Sequence, residues 1–200
     1  MSPIGKDILS DVERLRLFAA VSLPGRHLEW LERKTRELKE SWPSARWAAT
    51  ANQHVTLKFL GSTPADRLEA VRNACGLVAG SHRPATLRLS ALGAFPSSTL
   101  VRVLWVGLDD PQSRLASVAA DLDEALVPLG YAVEERPFRA HLTLGRWREP
   151  VRMTESFPDL DTSELEPFDV ESFELLRSRL SPKGAKYEVL ESFRLSSDAY

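Results

Sequence analysis

The chain has 200 residues, of which 43% are hydrophobic and 27% charged, a balance typical of an ordinary folded globular protein. Its net charge of −2 disfavours a protein that coats long stretches of duplex DNA, since that mode of binding needs a strongly basic face. No apolar run is long enough to span a membrane, the first residues lack a signal-peptide pattern, and Cys75 as the single cysteine excludes an internal disulfide. We therefore expect a cytoplasmic protein that does not bind membranes and is a monomer.

The first half of the chain begins with a polar segment, residues 1 to 12, which we interpret as an N-terminal extension. The apolar run RLRLFAAVSL at residues 14 to 23 predicts a central strand, which a Pro-Gly pair ends. A helix is expected to follow as far as about Trp42. After a turn-rich link, the strand HVTLKFL begins at His54.

The segment STPADRLEAV predicts the start of a second helix. Thr63 suits the N-cap of this helix, and Pro64 suits its first helical position. Cys75 falls on its apolar stripe, which indicates a packing role for the thiol. The alternating segment at residues 85 to 95 then predicts a half-buried strand.

The same order of elements repeats in the second half. Residues 100 to 108 predict a strand, and the next segment predicts a helix with Asp110 as its cap, Pro111 at its first position and Gly130 at its end. A polar link then leads to the strand AHLTLGR, which carries His141. The repeated order of strand, helix and histidine-bearing strand indicates an internal duplication.

The tail of the chain predicts two more strands, FDVESFELLRSRL and KYEVLESFRL, joined by the turn SPKGA. We therefore expect an α+β fold in which residues 13 to 200 form a single bilobal domain. Each lobe should have an antiparallel or mixed sheet with helices outside, and the two lobes should face each other across a groove.

The chain has four histidines, and two of them stand in the same motif: His54 precedes Thr56, and His141 precedes Thr143. Since side chains alternate along a strand, the histidine and threonine of each motif share one face, and the apolar residues between and after them share the other. The remaining histidines lack this setting and are expected at the surface: His27 and His82.

Two such strands facing one cleft would bring together two imidazoles and two hydroxyls. Histidine titrates near pH 6.5, so one ring can be neutral while the other is protonated. One ring can then accept a proton from water while the other protonates the leaving oxygen in an in-line displacement at phosphorus. Threonine hydroxyls can bind the non-bridging oxygens, so no metal and no other cofactor is expected.

The motifs and their surroundings resemble those of the bacterial RNA 2′,3′-cyclic phosphodiesterases, also called 2′-5′ RNA ligases, of the two-histidine (2H) phosphoesterase superfamily. The similar segments are RLFAAVSLP, RWAATANQHVTLKFLG, LGAFPS, VLWVGL and FRAHLTLGR, and the similarity extends over nearly the whole chain from about residue 14. The resemblance implies a bilobal fold with pseudo-twofold symmetry. It also implies a metal-independent reaction that opens a ribose 2′,3′-cyclic phosphate to a 2′-phosphate. The segment TANQ departs from the PEN-like approach of the family, although Asn52 keeps the asparagine.

The resemblance further implies the catalytic residues, namely His54, Thr56, His141 and Thr143. It assigns His54 as the proton donor to the departing 3′ oxygen and His141 as the base that acts on water. The pseudo-symmetry makes the two rings chemically alike and leaves the reverse assignment open.

Substrate-binding residues follow less directly from the sequence. Arg146 matches a family arginine, which implies a phosphate contact, although strict alternation would place it on the face opposite His141. Phe95 and Tyr187 are candidates for stacking on a base, as is Phe59, but alternation places Phe59 with the core residues.

The expected substrates are RNA 2′,3′-cyclic phosphate ends or small cyclic nucleotides, and the same site run in reverse could ligate such an end to a 5′-hydroxyl without ATP. The alternative is a non-catalytic module of the same fold that binds RNA ends or nucleotides. Intact histidines and threonines in both halves favour the enzyme, since binding alone needs only cations and aromatic rings. A metallophosphatase would need clustered histidine and aspartate ligands, and neither motif has them nearby.

Overall fold

The computed structural model of the protein describes residues 13–181 and 184–197, in which nine strands and three helices form. The strands are β1 (Arg14–Ser22), β2 (Arg46–Trp47), β3 (His54–Pro64), β4 (Ala85–Pro96), β5 (Leu100–Asp109), β6 (His141–Arg152), β7 (Phe168–Val170), β8 (Ser172–Ser181) and β9 (Gly184–Arg194). The helices are α1 (Gly25–Ser41), α2 (Leu68–Ser81) and α3 (Arg114–Leu126). The predicted extension, residues 1 to 12, lies outside the described residues, as do two residues of the turn between β8 and β9.

The strands form an antiparallel sheet in the order β7-β4-β5-β6-β3-β1-β8-β9, and the short β2 also pairs with β6. Every recorded pairing is antiparallel, so the α+β prediction is confirmed and the mixed alternative for the sheets is not observed. The two histidine strands, β3 and β6, lie side by side at the centre of this order. Each half of the sheet therefore contributes one motif to the same place.

The internal duplication is visible in the pairing registers. In the first half β1 pairs with β3, with Ser22 opposite His54. In the second half β5 pairs with β6 in the same antiparallel manner, with Gly107 opposite His141. A helix connects the paired strands in each half, namely α1 and α3, as the repeat in the sequence predicts.

The main core lies between the helices and the face of the sheet that carries the apolar residues of the two motifs. Val55 and Leu57 of β3 and Leu142 and Leu144 of β6 belong to it, each at most 5% exposed. Its helical members include the apolar stripe that holds Cys75, which is fully buried, so the packing role of this thiol is confirmed. Burial raises the pKa of Cys75 to about 12.

Among the described residues, no helix combines the length and the apolar character that crossing a membrane requires.

The predicted start of α2 is wrong. Thr63 and Pro64 end strand β3, where Pro64 pairs with Arg14, and Thr63 is fully buried and accepts a hydrogen bond from the Tyr131 hydroxyl at 3.0 Å. One 3-10 turn intervenes before α2 begins at Leu68. Sheet pairing with β1 decides the boundary here, because it satisfies the backbone that a helix start would leave unpaired.

The Asp110 side chain caps α3 as predicted, but the helix begins later than predicted, at Arg114, and its N-cap position is Ser113. The Asp110 carboxylate accepts hydrogen bonds from the backbone N–H groups of Arg114, Leu115 and Ala116 at 2.9 to 3.1 Å. Pro111 lies in the turn before the helix and not at its first position. Gly130 adopts a φ of +83° after the last turn, which is the left-handed conformation that terminates helices.

Candidate active site

A cleft of about 690 Å³ lies on the side of β3 and β6 that is turned away from the main core. The structure brings His54, Thr56, His141 and Thr143 together in its lining, and all four side chains are half-buried. These residues belong to two motifs that lie far apart in the chain. The cleft therefore unites the two motifs on one surface.

A single register position relates the two motifs. Val55, the middle residue of the first motif, pairs with Leu142, the middle residue of the second. Since β3 and β6 run antiparallel, this pairing places each histidine diagonally across from the other, at a backbone separation of about 7–8 Å. Two imidazoles at such a spacing can flank one phosphate group from opposite sides.

Both imidazoles are oriented by the same backbone contact. The Nδ1–H group of His54 donates to the carbonyl of Asn52 at 2.8 Å, and that of His141 donates to the carbonyl of Arg139 at 2.7 Å. Because a carbonyl only accepts, Nδ1 must carry the hydrogen in each ring. The other nitrogen, Nε2, is then the atom of each ring that exchanges a proton in the cleft.

Each histidine also lies against two aromatic rings. Phe18 and Tyr187 contact His54, with ring centroids 4.8 and 5.1 Å away. Phe95 and Trp105 contact His141, with centroids 5.2 and 5.9 Å away. These rings exclude water from one side of each imidazole and restrict its rotation.

The surroundings lower the pKa of both histidines below the ordinary 6.5. Burial is the largest cause in each case, and the hydrogen bond to the backbone carbonyl opposes it. The charge of His141 also lowers the pKa of His54, and the guanidinium groups of Arg146 and Arg139 lower the pKa of His141. In the free protein these effects favour neutral rings, and an anion bound between them would favour protonation of one ring.

Arg146 lines the cleft together with Thr143, to whose hydroxyl its guanidinium donates at 3.4 Å. Strict alternation would turn it away, but the pairing of β5 with β6 shifts by one residue at Leu144, which has no partner on β5. This bulge leaves Leu144 and Gly145 both buried and returns Arg146 to the face of His141.

The prediction that Phe59 belongs to the core is wrong. Its side chain is 61% exposed and lines the cleft. The pairing of β1 with β3 shifts at Leu57, so Leu57 and Lys58 are both buried and Phe59 turns to the face of Thr56. Lys58 takes the buried position and forms an ion pair with Asp123.

The two other aromatic candidates lie at the cleft in different ways. Tyr187 of β9 is part of the cleft lining. Phe95 of β4 contacts the His141 ring edge to face and is not among the described residues that line the cleft.

The two remaining histidines do not match the expectation of surface positions equally well. His27 is 5% exposed, hydrogen-bonded to the backbone carbonyl of Glu166 at 3.1 Å and in edge contact with Phe168, so that prediction is wrong. Its position on α1 facing β7 explains the burial. His82 is partly exposed and pairs with Asp121 on α3 at 2.8 Å.

Sequence reasoning missed two arginines of the cleft. Arg16 of β1 and Arg46 of β2 line it together with Arg146, and no aspartate or glutamate is found among the lining residues that the structure describes. Arg46 lies directly opposite Arg146 in the pairing of β2 with β6. Arg16 could have been predicted as a cleft residue from its position two residues before Phe18, on the strand that pairs with the first motif.

Within the part of the chain that the structure describes, no three histidine, cysteine, aspartate or glutamate side chains lie close enough to share a metal ion. The cleft thus offers cations, hydroxyls and imidazoles, a set of groups suited to an anionic ligand such as a phosphate ester.

Comparison with known proteins agrees with this geometry. A curated protein of Geobacillus stearothermophilus named RNA 2′,3′-cyclic phosphodiesterase is 30% identical over 186 residues, which are 92% of this chain and 58% of the relative. A protein of the same name from Methanothermobacter thermautotrophicus is 29% identical over 185 residues, 91% of this chain and 100% of the relative. The crystal structure of E. coli LigT complexed with 3′-AMP superposes with a TM-score of 0.76 at 27% identity, covering 92% of this chain and 100% of LigT.

The family model described as the 2′-5′ RNA ligase superfamily matches residues 25–181, a span that contains both histidine motifs. The repeated strand order, the paired motifs and the cleft between them are thus shared features of a family, and this chain belongs to the 2′-5′ RNA ligase superfamily.

Proposed function

We propose that the protein is an RNA 2′,3′-cyclic phosphodiesterase, which hydrolyses the 2′,3′-cyclic phosphate at an RNA end or on a nucleotide to a 2′-phosphate. The observation that carries this proposal is the single cleft in which two His-x-Thr motifs meet at the Val55–Leu142 pairing. The names of the curated relatives support the same reaction, including the relative of which the chain spans only 58%.

The reaction needs one base and one acid on opposite sides of phosphorus. In the direction we propose, Nε2 of His141 accepts a proton from water as the water oxygen bonds to phosphorus. Nε2 of His54 gives its proton to the 3′ oxygen as the bond between that oxygen and phosphorus breaks. The products are a 2′-phosphate and a free 3′-hydroxyl, and the two rings have exchanged protonation states. The reverse assignment would use the same two Nε2 atoms, because both rings have the same backbone contact.

The fixed tautomers are what make this proton transfer efficient. With Nδ1–H held by a backbone carbonyl, each neutral ring presents an unprotonated Nε2, and each protonated ring presents a donor at the same point. The hydroxyls of Thr56 and Thr143 and the guanidinium of Arg146 would bind the non-bridging oxygens, whose negative charge grows in the transition state. These charge-assisted contacts act in a cleft partly closed to water, where they are strongest.

Aromatic rings beside the histidines supply the contact for a nucleoside. Phe59 is exposed in the cleft, and Tyr187 is half-buried next to His54. Stacking on such rings tolerates any base, so base preference is expected to be weak. The binding of 3′-AMP by LigT supports a nucleotide in the same cleft of this chain.

The experiment that tests the proposal is phosphorus NMR of the product formed from a 2′,3′-cyclic nucleotide. We expect one resonance of a 2′-monophosphate and disappearance of the cyclic phosphate. A 3′-monophosphate, or an unchanged cyclic phosphate, would contradict the proposal. A chain with both histidines replaced by alanine is the control for spontaneous opening of the ring.

We further propose ATP-independent 2′-5′ ligation as the reverse of this reaction, in which a 5′-hydroxyl takes the place of water. The cytoplasmic location and the monomeric state that the sequence predicts stay predictions. Light scattering after size exclusion tests the second of these.

A further inference from the structure

The cleft extends beyond the catalytic set along strand β1, and Arg16 lies at that far end. Arg16 pairs with Ser62, whereas His54 pairs with Ser22, six residues further along β1. At the rise of an extended strand, six residues correspond to about 20 Å. The backbone of Arg16 is thus well separated from the two histidines, which places its guanidinium to serve another part of a ligand than the phosphorus between the rings.

Arg16 is exposed and has no hydrogen bond or ion pair among the residues that the structure describes. Its neighbours are satisfied: Arg14 donates to the hydroxyl and carbonyl of Ser62 at 2.6 to 2.7 Å, and Arg177 pairs with Glu13 at 2.9 Å. The described lining of the cleft has no carboxylate to neutralise Arg16. Its charge is therefore available to an anion in the cleft.

The floor between the histidines and Arg16 suits a nucleotide strand. Along β3 from His54, Phe59 comes first, and its ring is exposed to the cleft. Gly61 follows on the same strand and also lines the cleft. Gly61 has a φ of +66°, and a methyl group placed on it would meet no atom within 4 Å. An aromatic platform is thus followed by open space beside a free guanidinium.

We propose that Arg16 binds a backbone phosphate of the nucleotides that precede the cyclic end, so that the cleft recognises single-stranded RNA ends and not only mononucleotides. This inference rests on the function proposed above and adds a second phosphate subsite to it. The RNA strand runs from the histidines along β3, over Phe59 and Gly61, to Arg16. Arginine suits this role because its planar fork donates two hydrogen bonds to one phosphate.

The test compares a cyclic mononucleotide with a trinucleotide that ends in the same 2′,3′-cyclic phosphate. In Arg16→Gln, we expect the KM of the trinucleotide to rise about two- to fivefold relative to that of the mononucleotide, as the loss of one exposed charged contact implies. The slope of log KM against log salt for the trinucleotide should fall by about 0.7, the value for one phosphate contact on a single strand. Arg16→Lys should recover part of the difference.

Arg14→Gln is the matched control, because Arg14 lies on the same strand, carries the same charge and does not line the cleft. We expect it to leave the ratio of the two KM values unchanged. An equal rise of both KM values in Arg16→Gln, or the same change of the ratio in Arg14→Gln, would overturn the subsite. If the unaltered protein hydrolyses neither substrate, the proposed function fails and not the subsite alone.

Discussion

Phe59 and Arg146 occupy equivalent positions in the two halves of the protein. Each follows the threonine of its motif by three residues, and each is turned into the cleft by a one-residue shift in the pairing of its strand, at Leu57 and at Leu144. Phe59 pairs with Phe18 on β1, and Arg146 pairs with Val103 on β5. The duplicated backbone therefore offers the same position twice, with an apolar ring in one half and a cation in the other. This asymmetry suits a nucleotide, which has a base and a phosphate.

Phe59→Ala is expected to weaken substrate binding with little effect on stability. Because the ring is 61% exposed, the free energy of unfolding should change by less than about 1 kcal/mol, whereas a core phenylalanine would cost about 3–5 kcal/mol. Loss of base stacking should raise the KM at least fivefold, since such a contact is worth about 1–3 kcal/mol. Urea unfolding and steady-state kinetics measure the two quantities. Leu77→Ala, an exposed apolar residue on α2, is the control and should change neither.

His54→Ala and His141→Ala are each expected to lower kcat by about 10²–10⁴-fold, because each removes one of two coupled proton transfers. The KM should change much less. The double variant should be little worse than either single variant, since residues that act as a unit are not additive. His82→Ala, which loses a pair with Asp121 outside the cleft, is the control. Near-normal turnover in either single variant would contradict the catalytic assignment.

The rate is expected to depend on pH through a bell-shaped profile. Catalysis needs one neutral and one protonated ring, and the pKa of each histidine is lowered below 6.5 in the free protein. The profile of kcat/KM reports the free protein and should therefore have its maximum below pH 6.5. The rate should fall on the acid side because the base becomes protonated, and on the alkaline side because the acid loses its proton. A bound phosphate raises the pKa of the protonated ring, so the alkaline limb of kcat should lie at higher pH than that of kcat/KM.

Arg139→Gln is expected to show which histidine is the base. The Arg139 guanidinium lowers the pKa of His141, while the hydrogen bond to His141 comes from the backbone carbonyl and survives the substitution. The pKa of His141 should therefore rise. If His141 is the base, the acid limb of kcat/KM moves to higher pH; movement of the alkaline limb would instead identify it as the acid. Arg136→Gln, with its charge removed from the same segment, is the control.

Hydrolysis is expected to survive chelation of metal ions, because the proposed proton transfers and oxyanion contacts come from side chains alone. The measurement is the rate with a cyclic nucleotide before and after dialysis against EDTA. Activity that disappears on dialysis and returns with a divalent cation would contradict the two-histidine mechanism.

Lys58→Ala is expected to destabilise the protein by about 3–5 kcal/mol, because it leaves the Asp123 carboxylate buried without its cation. The Lys58 ammonium also donates to the carbonyl of Ala132 at 2.6 Å, in the segment that leads to His141. Pairing Lys58→Met with Asp123→Leu should restore most of the loss, since it removes both buried charges. Urea unfolding measures the difference, and Arg194→Ala, from an exposed pair with Glu171, should cost less than about 1 kcal/mol.

Most of the secondary structure could be predicted from the sequence, because the signals are local. The run from residue 14 predicts β1, the alternation at residues 85 to 95 predicts β4, and both are observed. The predicted start of α2 at Thr63 was wrong because the helix signals there compete with pairing to β1 around Arg14. This partner is distant in the sequence. His27 was misplaced for a similar reason, since its partner carbonyl at Glu166 is distant in the chain.

The sequence by itself determined that each motif carries a histidine and a threonine on one face of a strand, because side chains alternate with a period of two wherever a strand is regular. It also determined that the motifs come from duplicate halves. Only the tertiary structure decided that Val55 pairs with Leu142. Because of this pairing, the two imidazoles share one cleft. The bulges at Leu57 and Leu144 likewise depend on the partner strands, since a strand takes up an extra residue only against a neighbour that does not. For that reason Phe59 and Arg146 reach the cleft through the pairing of their strands, whereas each histidine shares a face with its threonine through local alternation.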